Sequence, residues 1–226
     1  IHLEPRVQGL QPAAASRRLP SYLAPAMTQL PELPLTLSRQ EIRKMIRQRR
    51  RALTPEQQQE MGQQAATRMM TYPPVVMAHT VAVFLSFDGE LDTQPLIEQL
   101  WRAGKRVYLP VLHPFSAGNL LFLNYHPQSE LVMNRLKIHE PKLDVRDVLP
   151  LSRLDVLITP LVAFDEYGQR LGMGGGFYDR TLQNWQHYKM QPVGYAHDCQ
   201  LVEKLPVEEW DIPLPAVVTP SKVWEW

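Results

Sequence analysis

Residues 170–180 read RLGMGGGFYDR, and this segment is the clearest indication of the architecture. Four of the chain's 11 glycines fall between residues 172 and 176, after a predicted strand and before a predicted helix over 179–185. Glycines let a backbone approach a ligand closely and adopt positive φ, and N–H groups at a helix start can bind phosphate oxygens. The segment therefore predicts a phosphate-binding loop; the alternative is a flexible surface turn.

The residues beside this loop suit a phosphate ligand, although the loop matches neither common phosphate-binding motif. Phe177 stands where the G-x-G-x-x-G motif needs glycine, and no G-K-[ST] follows as a P-loop requires. Arg170 can offset phosphate charge, and Asp179 can hold a metal ion through its carboxylate. We therefore treat the segment as a binding loop of its own kind.

The pattern outside the loop indicates an α/β fold. A helix with Leu96, Ile97 and Leu100 on one face lies between two predicted strands. Strands that alternate with helices predict a single α/β domain with a mainly parallel central sheet flanked by helices. The predicted strands cover residues 81–87, 107–111, 120–123, 154–159, 193–196 and 216–219.

The predicted domain begins near residue 35. Six prolines precede that point in a segment without a sustained apolar period, so we expect residues 1–34 to be a disordered or non-native N-terminal extension. The chain opens with Ile, and Met27 is our hypothesis for the natural start. Ser38 then has the form of a helix cap, and Thr54 with Pro55 restarts a second helix.

The first predicted helix carries a basic face. Arg39, Arg43 and Arg47 recur at helical spacing, and charge-assisted hydrogen bonds from such arginines could clamp a polyphosphate. The alternatives are an ordinary solvated face and an RNA contact through residues 47–51. The helix lacks aromatic residues that stack on bases, which argues against the RNA contact.

Acidic residues follow the first predicted strand. Asp88 and Glu90 come where ligands bind in open α/β sheets, outside the carboxyl ends of the strands. A carboxylate there can grip a polar heterocycle; the alternative is a polar turn with Thr93 as a helix cap. Asp211 is a candidate second metal carboxylate, and an ordinary turn residue is its alternative.

Composition favours a small-molecule partner. Lys and Arg total 24 against 23 for Asp and Glu, so no net field draws the chain to nucleic acid or to a membrane. Cys199 is the only cysteine, which excludes an internal disulfide, and the sequence shows no membrane-spanning run and no secretory signal. We expect a cytoplasmic monomer with no nucleic-acid or membrane partner.

Several motifs together resemble the 5-formyltetrahydrofolate cyclo-ligase family, also called methenyltetrahydrofolate synthetases. They are Arg39-x-x-x-Arg43, Phe84-Leu85-Ser86 with Glu90, and above all GQRLGMGGGFYDR over residues 168–180. Their order and spacing match from about Ser38 to Thr219. The resemblance implies a catalytic domain over residues 35–226 that uses ATP and Mg²⁺ to convert 5-formyltetrahydrofolate to 5,10-methenyltetrahydrofolate, with release of ADP and phosphate.

The resemblance also implies roles for individual residues. Catalytic roles fall to Arg170 and Tyr178, and Mg²⁺ binding to Asp179 and Asp211. ATP contacts are implied for Arg39, Arg43, Arg170, Gly172, Met173, Gly174, Gly175, Gly176, Phe177 and Tyr178. Folate contacts are implied for Arg43, Leu85, Glu90, Met173, Gly174, Gly175, Gly176 and Phe177, and Glu90 would anchor the pterin ring.

Some residues depart from the family's pattern. Met173 and Gly175 stand where many relatives have Arg and Lys, so Arg170 and Arg180 are expected to compensate for two missing cations. Phe177 replaces a common Tyr and removes a hydroxyl donor. These departures leave open a protein that binds folate with weak catalysis. A sugar-phosphate isomerase or CoA-transferase-like enzyme and a nucleic-acid-binding protein also stay open as functions.

Overall fold

The structure, a computed structural model, describes residues 37–226, and an eight-stranded sheet lies at its centre. Its helices are α1 (Arg39–Arg51), α2 (Pro55–Thr71), α3 (Pro73–Met77), α4 (Gln94–Arg102) and α5 (Phe177–Leu182). Its strands are β1 (Thr80–Ala82), β2 (Arg106–Leu112), β3 (Leu120–Tyr125), β4 (Leu131–Met133), β5 (His139–Pro141), β6 (Val148–Leu149), β7 (Val156–Thr159), β8 (Ala163–Asp165), β9 (Arg170–Leu171), β10 (Gln191–Tyr195), β11 (Leu201–Val202), β12 (Ala216–Val218) and β13 (Val223–Glu225). The prediction for residues 1–34, with its hypothesis on Met27, lies outside the described residues.

The central sheet is mainly parallel, which confirms the predicted fold class. Its strand order is β13-β12-β10-β7-β1-β2-β3-β6. The strands from β12 to β2 pair in parallel. Antiparallel strands complete both edges, with β13 on one side and β3 and β6 on the other. Because the parallel strands all end at one edge, their loops converge there, where ligands bind in folds of this class.

Helices cover both faces of this sheet. On one face, α2, α3 and α4 bury side chains such as Met69 and Ile97 against β1, β7 and β10. On the other face, α5 and the segment after it bury Leu182 and Met190. Both layers consist of apolar residues removed from water, which is the main favourable contribution to folding. Within residues 37–226, no helix has the length and apolar character to span a bilayer.

Helix α1 packs away from the central sheet, on a small sheet with the order β11-β8-β9. Ile42 and Ile46 are fully buried against residues of that sheet, among them Leu171. The Ser38 hydroxyl accepts a hydrogen bond from the N–H of Glu41 at 3.1 Å, which confirms the predicted cap. Since β9 leads directly into the glycine segment, this packing places the basic helix beside that segment.

Two predicted elements differ most in extent from the observed ones. The strand predicted over 81–87 pairs only as β1, because the chain leaves the sheet after Val83 and turns toward the carboxyl edge. The helix predicted over 179–185 begins earlier, at Phe177, and ends at Leu182. The helix ends because Gln183 leaves the helical conformation with ψ of 126°, and Asn184 then adopts a left-handed backbone with φ of 59° before a short 3-10 turn.

Candidate active site

A cleft of about 600 Å³ opens at the carboxyl edge of the parallel strands. Its floor comes from residues that follow β1 and β7, such as Leu85 and Pro160. Helix α1, the glycine segment and the β4–β5 hairpin form its walls. Apart from Asp211, every residue to which the family resemblance assigns ATP, folate or metal binding lines this cleft: Arg39, Arg43, Leu85, Glu90, Arg170, Gly172, Met173, Gly174, Gly175, Gly176, Phe177, Tyr178 and Asp179.

The glycine segment 172–176 forms an open wall of main chain. Gly174 has φ of 107° and Gly176 has φ of 71°, conformations that side-chain-bearing residues rarely adopt. Gly176 is also the residue that precedes α5. Asp165 fixes the approach to this segment, since its buried carboxylate accepts hydrogen bonds from the N–H groups of Tyr167, Gln169 and Leu205 across the β8–β9 turn.

Two buried arginines flank the segment. Arg43 is 6% exposed, and its Nε donates to the carbonyl of Gly172 at 2.7 Å. Arg170 is 5% exposed, and its Nε donates to the carbonyl of Pro160 at 2.9 Å. Burial lowers the pKa of both guanidiniums, but arginine starts so high that both stay charged. The cleft therefore holds two fixed positive charges with hydrogen-bond donors to spare.

Arg180 does not lie in the cleft, where it was expected to replace a missing cation. Its Nη1 donates to the carbonyls of Gly118 and Gly175, at 2.8 and 2.9 Å, and its guanidinium lies over the ring of Phe177. These contacts hold the glycine segment from outside the cleft. Of the two arginines expected to replace the missing cations, only Arg170 lines the cleft.

Tyr178 brings a polar group into an apolar setting. Its hydroxyl is enclosed and has no hydrogen-bond partner among the residues that the structure describes. Burial raises the pKa of this phenol, so the hydroxyl keeps its proton and can donate. The Arg170 guanidinium lies 5.6 Å from the centre of the Tyr178 ring, which fixes the two side chains relative to each other.

The two candidate metal carboxylates lie in different surroundings. Asp179 lines the cleft, and its Oδ1 is 3.6 Å from Arg170 Nη1 and 3.4 Å from the N–H of Ile212. Asp211 lies behind Arg39, which donates to both of its oxygens at 2.7 and 3.2 Å. Oδ2 of Asp211 also accepts from the N–H of Glu208. Asp179 is thus loosely held, whereas the Asp211 carboxylate is already satisfied.

Glu90 occupies the part of the cleft next to β1. Its Oε1 accepts a hydrogen bond from the N–H of Phe87 at 2.9 Å. Burial raises the pKa of Glu90 to about 7, against the opposing influence of Arg50. Leu85 and the rings of Phe84 and Phe87 line the cleft nearby. A planar polar ring can therefore pack on apolar side chains and meet a carboxylate at its edge.

The arginines near the end of α1 approach an acidic residue within the fold. Arg47, Arg50 and Arg51 all approach the carboxylate of Asp88, at 3.7, 3.8 and 2.6 Å. The sequence makes Asp88 a candidate ligand group, but in the structure it ties α1 to the turn before Glu90. The run is thus partly neutralised within the fold.

Sequence reasoning missed one wall of the cleft. The β4–β5 hairpin contributes Asn134, Leu136 and Ile138, and Glu140 fixes it by accepting hydrogen bonds from the N–H of Leu112 and from Asn134. Each of its strands has three residues, which is too short to show the alternation of apolar and polar residues that indicates a strand. Trp210 was also missed as a lining residue, although its place directly before the candidate Asp211 in the sequence was an available signal.

Comparison with known proteins gives a consistent picture. A profile of the 5-formyltetrahydrofolate cyclo-ligase family matches residues 36–220. The 5-formyltetrahydrofolate cyclo-ligase of Haemophilus influenzae is 53% identical over 179 residues, 79% of this chain and 96% of that protein. The mouse (Mus musculus) 5-formyltetrahydrofolate cyclo-ligase is 26% identical, over 78% of this chain and 91% of its own.

Solved structures agree with this match. The 5,10-methenyltetrahydrofolate synthetase of Aquifex aeolicus superposes with a TM-score of 0.72 and 28% identity, covering 84% of this chain and 93% of that one. The synthetase from Mycoplasma pneumoniae, at 20% identity and a TM-score of 0.65, shares the fold over 81% of this chain and 99% of its own. These matches give no support to an isomerase, a CoA-transferase-like enzyme or a nucleic-acid-binding protein.

Proposed function

This chain belongs to the 5-formyltetrahydrofolate cyclo-ligase family, and from that premise we propose that it uses ATP to close 5-formyltetrahydrofolate into 5,10-methenyltetrahydrofolate, a reaction of one-carbon metabolism. One observation supports this most: a single cleft combines an open main-chain wall between two buried arginines with an apolar surface that ends in a carboxylate. The first part suits a triphosphate and the second a pterin.

The chemical difficulty of this reaction lies in the formyl group. A formamide carbonyl is a poor electrophile, because the nitrogen donates electrons into it. In the proposed route the formyl oxygen attacks the γ-phosphorus of ATP, a P–O bond forms, and the bond to ADP breaks. N10 of the folate then attacks the formyl carbon and loses its proton. The C–O bond breaks, and phosphate leaves as the methenyl bridge forms.

The protein's part in this route is to position the substrates and to stabilise charge. Arg43 and Arg170 are fixed before the ligand arrives, so they offset negative charge on the phosphates without reorganising. The main chain of residues 172–178 offers N–H groups along the same wall. Tyr178 can donate its free hydroxyl to a phosphate or formyl oxygen. Glu90 would accept hydrogen bonds from the pterin edge and so align the formyl group.

Magnesium fits the proposed site through Asp179. This carboxylate lines the cleft and has only long contacts. Within residues 37–226 no group of three or more acidic, histidine or cysteine side chains could hold a metal, so phosphate oxygens and water would supply further ligands. Asp211 could join them only where Arg39 releases it. A bound Mg²⁺ would offset charge on the phosphates. The monomeric state and the cytoplasmic location remain predictions.

The direct test is to incubate the purified protein with 5-formyltetrahydrofolate, ATP and Mg²⁺ and to follow the methenyl product by its near-ultraviolet absorbance. We expect product only when ATP is present, with ADP released in equal amount. Product without ATP, or none with all three components, would contradict the proposal.

The metal assignment has its own test in Asp179→Ala, with Asp144→Ala as the matched control. Asp144 pairs with Arg146 at the surface, and neither residue lines the cleft. We expect Asp179→Ala to fold normally and to lose most turnover at any Mg²⁺ concentration, while Asp144→Ala keeps the parent value. An Asp179→Ala protein with unchanged turnover at saturating Mg²⁺ would show that the ligand lies elsewhere.

A further inference from the structure

The segment that presents Glu90 is a strained turn held from behind. We call residues 86–91 the Glu90 loop. Asp88 and Gly89 both have positive φ, at 51° and 76°, and an aspartate in that region is uncommon. Such a turn persists only where its surroundings hold it. In the structure, side chains from three separate parts of the chain do so.

Two side chains bind the same carbonyl of the Glu90 loop. Nε2 of Gln58, from α2, donates to the oxygen of Gly89 at 3.2 Å. Nε2 of His197 contacts that oxygen at the same distance, and since a carbonyl only accepts, this nitrogen carries the proton. His197 is 1% exposed, and its Nδ1 has no partner among the described residues. Burial lowers the pKa of His197 to about 4, so the ring is neutral at physiological pH.

Arg50 lies directly under the Glu90 loop. It is 3% exposed, and a Cβ placed on Gly89 would stand 3.4 Å from the Cβ of Arg50. Its Nη2 is 3.8 Å from Asp88 Oδ2, and its Nε has no partner among the described residues. A guanidinium cannot lose its proton at physiological pH. A full positive charge is therefore enclosed beneath Glu90, and neither Arg50 nor His197 is among the residues that line the cleft.

We propose that Arg50 and His197 are positioning residues for folate recognition: Arg50 places an enclosed positive charge under the Glu90 loop that attracts the Glu90 carboxylate, and His197 holds the turn that aims this carboxylate into the cleft. The proposal rests on the folate-binding role given to Glu90 in the proposed function. An enclosed cation with an unfilled donor has no evident purpose in stability alone, because burying an imperfectly paired charge is costly.

The other charges around Glu90 do not replace Arg50. Asp88 opposes ionisation of Glu90, Arg170 favours it more weakly than Arg50, and Tyr178 and His197 stay neutral in the physiological range. Since the pKa of Glu90 is already raised to about 7, loss of Arg50 would raise it further. Glu90 would then be largely protonated at neutral pH, and a carboxylic acid is a poorer acceptor for pterin N–H groups.

The first test measures the pH dependence of kcat/KM for 5-formyltetrahydrofolate in Arg50→Met, Arg50→Lys and Arg51→Met. Arg51 is the matched control, because it has the shorter ion pair with Asp88 but is 64% exposed. We expect Arg50→Met to move the acidic limb of the profile upward by about one pH unit, which for a group with a pKa of about 7 is a roughly fivefold loss at pH 7. Arg50→Lys and Arg51→Met should leave the limb in place, and KM for ATP should not change.

A double variant separates an electrostatic role of Arg50 from damage to the fold, because damage to the fold would lower activity in either background. In a Glu90→Gln background the group that titrates is gone, so Arg50→Lys and Arg50→Met should both have no effect on the pH profile. An acidic limb of Arg50→Met that coincides with the parent limb would overturn the role of Arg50. So would an equal shift in Arg51→Met.

His197 is tested by rescue. His197→Leu removes the donor to Gly89, whereas His197→Gln can restore an N–H at a similar reach. We expect the Leu variant to raise KM for folate several-fold with KM for ATP unchanged, and the Gln variant to recover most of the loss. Equal rises in both KM values without rescue would reject this role. If the parent protein forms no methenyl product, the proposed function is wrong, but the roles of Arg50 and His197 can still be tested. The affinity of each variant for 5-formyltetrahydrofolate is then measured by calorimetry without ATP.

Discussion

At the scale of single residues, the site contains polar groups that the fold leaves incomplete. The Tyr178 hydroxyl is enclosed without a partner among the described residues, and leaving a buried donor unsatisfied costs about 1–3 kcal/mol. Arg170 and Arg43 each use Nε for one backbone carbonyl and present the rest of the guanidinium to the cleft. Groups of this kind are explained by a ligand that completes their hydrogen bonds.

Tyr178→Phe tests separately how the Tyr178 hydroxyl affects the stability of the fold and how it affects turnover. Removing an unsatisfied hydroxyl should leave the melting temperature unchanged or raise it slightly. Turnover should fall about a hundredfold or more, the usual effect of removing one hydrogen-bond donor to a developing charge. Thermal melts and steady-state kinetics on the same preparation check both. A variant that is less stable but equally active would show that the hydroxyl serves the fold.

Glu90→Gln gives a prediction on stability and pH. Burial raises the pKa of Glu90 from 4.5 to about 7, so between those values the folded protein binds a proton that the unfolded chain has released. Stability from this group is therefore greatest at low pH and falls as pH rises through that range. The neutral Gln should melt at a higher temperature than the parent at pH 8, with the difference shrinking toward pH 5, while folate affinity falls. Identical melting at pH 8 would contradict this.

At the scale of elements, the central relation is between α1 and the glycine segment. Ile42 and Ile46 fix the helix on the small sheet, and Arg43, which lies between them in the sequence, reaches the carbonyl of Gly172. The start of the helix, its cap and its two faces could be predicted, because they depend on local spacing. The pairing of α1 with residues 129 positions further along the chain could not, because it depends on long-range packing.

Gly174→Ala tests the glycine segment, and Gly104→Ala is its matched control. Both glycines have positive φ, at 107° and 76°, and Gly104 has open space around it at the end of α4. Each alanine should cost about 1–3 kcal/mol of stability from backbone strain. Only Gly174→Ala should also raise KM for ATP, because a methyl group there stands 3.7 Å from the Arg43 guanidinium. Equal effects on KM for ATP in the two variants would contradict the role of the glycine segment in ATP binding.

The short strands could not be predicted reliably from sequence patterns. A strand of three residues, such as β1 or β4, gives no readable period, and the strand predicted at β1 is too long because the apolar run continues into the loop beyond it. The residues that hold the Glu90 loop were missed for a related reason. His197 and Arg50 lie 107 and 40 positions from Glu90, with no motif that links them.

At the scale of the whole molecule, the fold brings segments from distant parts of the chain to one edge of a sheet. Residues near 90 lie at the carboxyl edge of the parallel strands, and the small sheet with α1 brings residues near 40 and 175 to the same cleft. The sequence allowed the α/β class to be predicted, together with the parts of the cleft that come from α1, the Glu90 loop and the glycine segment, whereas the β4–β5 hairpin and Trp210 were missed. Among the site residues that the family resemblance assigns, Asp211 is the one that does not line the cleft, because Arg39 holds its carboxylate behind the cleft wall.

Truncation tests the proposed domain boundary. We propose that residues 35–226 contain the complete catalytic domain, since α1 begins at Arg39 and its cap at Ser38 is formed within the described residues. A protein that lacks residues 1–34 should melt within a few degrees of the full chain and retain kcat and both KM values. Loss of either substrate's affinity on truncation would place part of the site in the removed segment.

The proposed mechanism depends on where the triphosphate binds relative to the pterin. The most direct measurement is a crystal structure with 5-formyltetrahydrofolate and a non-hydrolysable ATP analogue bound together. We predict the phosphates against residues 172–178 within hydrogen-bond reach of Arg43 and Arg170, the pterin edge on Glu90, and the formyl oxygen facing the γ-phosphorus. Phosphates bound at another surface, or a pterin turned away from Glu90, would contradict it.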